Sequence, residues 1–191
     1  MEKPILLHAC CGPCSYFPLK SLLTRDPNSP IVLFFYNPNI QPIQEYYRRR
    51  DSLAYLGAIS GELFAAPGMV KMEFPPYKQR EYLDSVAENI RSKDRCRLCY
   101  RLRLRRAAQR ASSQGFKAFS STLLYSRQQK HEIIKEEGEA AGKLHNIEFH
   151  YEDFRVGHKE GQSAARTLGL YRQSYCGCVF EGLEEGDLED A

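Results

Sequence analysis

No apolar run in these 191 residues approaches the ~18 that a membrane-spanning helix needs. The opening stretch, "MEKPILLHACCG", has a short apolar segment but no long hydrophobic region and no small-residue cleavage site. It reads as a first β-strand rather than an export signal. The expectation is a cytoplasmic protein with no membrane partner. Nucleotide-binding glycine signatures are missing as well: neither G-x-x-x-x-G-K-[ST] nor G-x-G-x-x-G occurs. That argues against an ATPase, a kinase or a Rossmann dehydrogenase. H-E-x-x-H and G-x-S-x-G are also absent. There is no internal repeat and no linker-like stretch, so residues 1–180 read as one domain. Hydrophobic residues at 42% and charged residues at 27% are ordinary for a soluble globular chain.

Charge of one sign is nearly missing from two places. The tail 181–191 has six acids and no base, so it reads as a disordered acidic tail. Without it the first 180 residues carry 27 − 18 = +9. Between Arg91 and Arg110 stand nine Lys or Arg and one acid, Asp94. A second basic group is "YYRRR", Tyr46 to Arg50. Such faces suit a polyanion, and tyrosine beside arginine suits RNA. The plainer alternative is a solvated helix face.

What the chain has in an unusual pattern is cysteine. Cys10, Cys11, Cys14, Cys96, Cys99, Cys176 and Cys178 fall into three tight groups. An odd count in a cytoplasmic chain argues against a disulfide framework and for metal or redox chemistry. Scattered structural cysteines would pack as small hydrophobes, but these are not scattered. The first group, "HACCGPC", follows an apolar run where many nucleotide-binding α/β proteins hold a phosphate loop. Zinc would want four thiolates in two knuckles, which Cys11/Cys14 and Cys96/Cys99 could form. That leaves Cys10, Cys176 and Cys178 unexplained. An iron–sulfur cluster also takes four thiolates, but ferredoxin spacing is absent. A Cys176–Cys178 disulfide would close a small strained ring, and strained disulfides tend to be reducible. Two further metal ligands are the alternative.

Short strand-like runs recur at 4–9, 31–36, 62–66, 117–122 and 147–151. Helix-like segments fall at 15–24, 42–57, 77–93, 97–112, 128–144 and 158–168, with Gly57 and Gly115 as stops. The alternation predicts an α/β fold, a parallel sheet with helices on both faces. Sites in such sheets form beyond the carboxyl ends of the strands. The cysteine loop, "STLLYSRQQKH" and "EDFRVGHKEG" should therefore meet at one edge.

Six segments, "HACCGPC", "FFYNPNIQPIQEYYRRR", "CRLCYRLRLRRAA", "FSSTLLYSRQQKHEII", "DFRVG" and "GLYRQSYCGC", occur in this order. Together they resemble the QueH family of epoxyqueuosine reductases, over about residues 4–180. The resemblance implies a cobalamin-independent oxidoreductase that completes queuosine synthesis on tRNAs with GUN anticodons, at the wobble position. It implies an adenine-nucleotide hydrolase (PP-loop, HUP-like) fold. It also implies a [4Fe-4S] cluster on Cys10, Cys11, Cys96 and Cys99, a redox-active pair in Cys176 and Cys178, and a separate electron donor. Cys14 is then left over, for a second iron with Asp153 as a harder ligand that could polarise the epoxide oxygen. A helix cap or an arginine partner is the alternative role for Asp153. His8, His131, Lys130 and His158 are candidates for proton transfer, with His8 on a buried strand. Arg48, Arg49, Arg101, Arg105 and Tyr171 are candidates for the anticodon stem-loop. The rival reading is a zinc-stabilised RNA-binding module without activity.

Overall fold

The structure is a computed structural model, and it describes residues 3–181. Five parallel strands make one sheet in the order β3-β2-β1-β4-β5. They are β1 Ile5–His8, β2 Ile31–Phe34, β3 Val70–Glu73, β4 Ala118–Ser121 and β5 Glu148–Phe149. Every residue of β1, β2 and β4 is buried, as strands covered on both faces require.

Six α-helices surround the sheet: α1 Gly12–Arg25, α2 Ile43–Leu63, α3 Gln79–Val86, α4 Arg95–Ser113, α5 His131–His145 and α6 His158–Thr167. The chain steps outward from β1 to β3 through α1 and α2. It then returns past β1 to β4 and β5. Right-handed crossovers turn that reversal into two helix layers on opposite faces. The packing agrees, since α1 touches α2 and α6 while α4 touches α5 and α3. The reversal also opens a crevice between the ends of β1 and β4. Cys10 leaves β1 there, and its N–H donates to Thr122 Oγ1, just after β4, at 3.1 Å.

Two expectations need correction. Residues 62–66 are not a strand. Helix α2 continues through Gly57 to Leu63, and the edge strand is Val70–Glu73. Gly57 does not stop the helix, because its missing Cβ makes room for the Met72 side chain of β3. The helix expected over 77–93 breaks after Val86 into a 3-10 turn, Ala87–Asn89. The acidic tail lies, after Glu181, outside the described residues.

Candidate functional site

The opening of α1 sets out the first thiols. Cys11 is its N-cap, Pro13 sits in the first turn, and Cys14 follows one turn on. Proline is suited to this position because its missing N–H would be unpaired anyway. No side chain caps this helix start, so its N–H groups and dipole face the thiols, a setting that favours thiolate. The Sγ atoms of Cys10, Cys11 and Cys14 lie within 4.8 Å of one another. Cys10 and Cys11 are 3.8 Å apart despite being adjacent, because the chain is turning from strand into helix.

Within this group Cys10 gives up its proton first. Hydrogen bonds from Cys11 and Cys14 hold its pKa well down, against the cost of burial, with help from Arg103 and Thr122. Burial pushes Cys11 up, and the bond to Cys10 pushes Cys14 up. Donors are aimed at the sulfurs. Gln173 Nε2 lies 3.0 Å from Cys11 Sγ and 3.5 Å from Cys14 Sγ. Thr122 Oγ1 donates to Cys10 Sγ at 3.4 Å.

Cys10 and Cys14 open onto a cavity of about 550 Å³, lined by six of the seven cysteines: Cys10, Cys14, Cys96, Cys99, Cys176 and Cys178. Six cations also line it, Arg49, Arg95, Arg103, Arg127, Lys130 and Arg172, against one carboxylate, Glu181. Arg103 is buried and donates to Asn37 Oδ1 at 2.7 Å, with Nη1 3.9 Å from Cys99 Sγ. A buried guanidinium with no carboxylate among its hydrogen-bond partners calls for other anions nearby, and thiolates supply them. The donor set is therefore soft, sulfur-rich and charge-balanced for a thiolate-bound metal or cluster.

Cys14 stands in the close group with Cys10 and Cys11. Cys96 and Cys99 line the same cavity without joining it. Cys99 instead packs with Cys178, Tyr82 and Val86. Tyr82 is fully buried, and its hydroxyl lies 2.8 Å from Cys178 Sγ. The Cys176 hydrogen bond, aided by Tyr82, lowers Cys178 to about 6, while the same bond to Cys178 pushes Cys176 up.

Asp153 is not brought to the thiols. It pairs with Arg155 at 2.7 Å, caps the 3-10 turn Phe154–Gly157 and does not line the cavity. Arg155 holds its carboxyl down at about 2. Two arginines expected on the RNA face are also engaged elsewhere. Arg49 is buried against Glu45, and Arg101 pairs with the buried Glu137. Arg48 and Arg105 are exposed, with Arg48 over the Tyr171 ring at 5.9 Å. His8 is a satisfied core residue, bonded to Ser121 Oγ at 2.8 Å and the Tyr36 carbonyl at 3.1 Å. Burial lowers it to about 3. His158 and Lys130 line the cavity, whereas His131 bonds Tyr151 outside it.

Tyr82, Gln173 and Arg103 are functional candidates that sequence reasoning missed. Arg103 had a signal, since it lies four residues after Cys99 and so on the same helix face. Gln173 sits three residues before Cys176. Tyr82 had none.

A family model, epoxyqueuosine reductase QueH, matches residues 5–184. The chain is 34% identical to the epoxyqueuosine reductase QueH of Dehalococcoides mccartyi, covering 96% of this chain and 95% of that protein. It is 33% identical to the enzyme of that name from Thermotoga maritima, over 94% and 91% of the two chains. The Staphylococcus epidermidis protein of the same name is 29% identical, with 97% and 79% covered. The chain belongs to the epoxyqueuosine reductase QueH family, a family of oxidoreductases.

Proposed function

We propose that the chain reduces epoxyqueuosine to queuosine at the wobble position of cytoplasmic tRNAs with GUN anticodons. One observation carries this reading: six of the seven cysteines share a single cation-lined cavity at the crevice between β1 and β4. The names of the relatives support the substrate. In the reaction both C–O bonds of the epoxide break and a carbon–carbon double bond forms. Two electrons and two protons are taken up, and the oxygen leaves as water.

The donor set fits an iron–sulfur cluster. Cys14 would stand beside it for a second metal, while Cys10, Cys11, Cys96 and Cys99 would supply the four thiolates of the cluster. When bound, it supplies low-potential electrons singly. Cys176 and Cys178 together can hold two electrons and two protons. Asp153 has no part in this assignment, because its carboxylate is committed to Arg155. A second iron would thereby lose its oxygen ligand. Arg127, Lys130 and Arg172 suit the phosphates of the anticodon stem-loop. The aromatic faces of Tyr125 and Tyr175 suit an unstacked base. A separate electron donor resets the site. The zinc-module rival leaves the Cys176–Cys178 pair without a use.

Replacing Cys176 with serine tests the division of labour. The variant should keep its full iron content and visible absorption but lose conversion of tRNA-bound epoxyqueuosine. Loss of iron instead would make Cys176 a ligand and contradict the redox assignment.

A further inference from the structure

Three consecutive arginines stand on α2, and only one turns inward. Arg48 is exposed and Arg50 is half-buried, while Arg49 is 1% exposed. A buried guanidinium is costly unless its donors are met. Those of Arg49 are met in a particular way. Nε donates to Glu45 Oε1 at 2.7 Å, one helical turn back. Nη1 donates to the Cys176 carbonyl at 3.1 Å and Nη2 to the Tyr175 carbonyl at 3.0 Å. The guanidinium also lies 5.1 Å from the Tyr175 ring centroid. The next carbonyl, that of Gly177, accepts from the Gln41 N–H at 2.8 Å. Three successive carbonyls of the Tyr175–Gly177 turn are therefore held by Arg49 of α2 and by Gln41, two residues before that helix.

The rest of the turn agrees. Gly177 has φ +104°, where L side chains are strained. A Cβ there would fall 2.9 Å from Ile40 Cγ1 and 3.1 Å from Arg49 Nη1. Glu45 is itself fixed, since its other oxygen accepts the Tyr171 hydroxyl at 2.5 Å. With the carbonyls drawn toward Arg49 and Gln41, both thiols open onto the cavity.

We propose that Arg49 is the positioning residue of the Cys176–Cys178 pair, holding its turn in the conformation from which the two sulfurs join. The proposal rests on the reading of that pair as redox-active. Closing the pair forms one S–S bond and releases two protons and two electrons, which the epoxide takes up as its oxygen leaves as water. A held turn pays the ordering cost in advance, so freeing it disfavours closure.

The test equilibrates anaerobic, cluster-loaded protein with glutathione and glutathione disulfide. Each disulfide formed in the protein consumes one glutathione disulfide and yields two glutathiones. Acid quenching, alkylation and peptide mass spectrometry then read the Cys176–Cys178 state. Arg49→Met should lower the equilibrium constant for disulfide formation about tenfold, about 30 mV for a two-electron couple, with iron content unchanged. Arg49→Lys keeps the charge beside Glu45 but cannot span two carbonyls. It should give a smaller fall, and it decides the matter if Arg49→Met does not fold. A folded variant with the wild-type equilibrium overturns the proposal and leaves the redox pair standing. Wild-type protein that forms no Cys176–Cys178 disulfide at any glutathione ratio overturns both.

Discussion

Tyr82 and Cys178 show what a single buried hydroxyl can do to a thiol. Removing a donor destabilises the thiolate and must raise the thiol pKa. Tyr82→Phe should therefore move the midpoint of Cys178 alkylation against pH upward from about 6. An unchanged midpoint would show that the Tyr82 hydroxyl has no part in setting it. His8 gives the opposite sign of argument. Its folded pKa of about 3 lies below the ordinary 6.5, so between those values the unfolded chain binds more protons. The stability that His8 contributes is complete above pH 6.5 and is lost as pH falls toward 3. Its ring resonances should not shift between about pH 6 and 8 in an NMR titration, and a midpoint in that window would restore it as a proton donor. All seven cysteines were legible as chemistry because their clustering is visible in the chain. Charge alone did not say that Arg49, Arg101 and Asp153 each meet a partner within the fold. Glu137, which occupies Arg101, lies 36 residues away.

At the scale of elements, glycines decided where helices approach their neighbours. A Cβ on Gly12 would lie 2.6 Å from the Ser52 carbonyl oxygen of α2, a backbone atom that cannot turn aside. Gly12→Ala should cost about 1–3 kcal/mol in urea unfolding. It should also weaken iron uptake, since Gly12 stands between Cys11 and Cys14; wild-type stability would refute the close-packing account. Gly57 taught the same lesson in reverse. As an isolated letter it reads as a helix end, yet in the fold it makes room for Met72. With the helix ended early, the apolar residues 62–66 looked like a strand. The inner strands were legible because unbroken apolar runs such as "IVLFFY" admit few alternatives. The short, partly exposed β3 offered no such signal.

For the whole molecule, the net charge misleads if it is counted only locally. The run Arg91–Arg110 has one acid within it, but Glu73, Glu81, Glu136 and Glu137 from other elements pair with Arg110, Arg106, Arg97 and Arg101. Much of that basic helix is therefore a tertiary ion-pair seam. Under the proposed function the RNA would instead meet Arg127, Lys130 and Arg172 at the cavity and the exposed Arg48 and Arg105. Arg127→Ala and Arg172→Ala should each weaken anticodon stem-loop binding and lower the slope of log affinity against log salt by about one unit or slightly less. Arg101→Ala should leave that slope unchanged, and a fall there would return α4 to the RNA face. The meeting of three distant loops at one crevice was legible from the α/β alternation and the rule of strand ends. The mutual closeness of Cys10, Cys11 and Cys14 depends in addition on where α1 begins.

The most direct test is turnover by anaerobic, iron-reconstituted protein with a chemical reductant and tRNA bearing epoxyqueuosine, read by mass spectrometry of the released nucleosides. The account predicts that the modified nucleoside loses one oxygen and becomes queuosine. Intact epoxyqueuosine, after incubation with protein that holds iron and binds the tRNA, would contradict it.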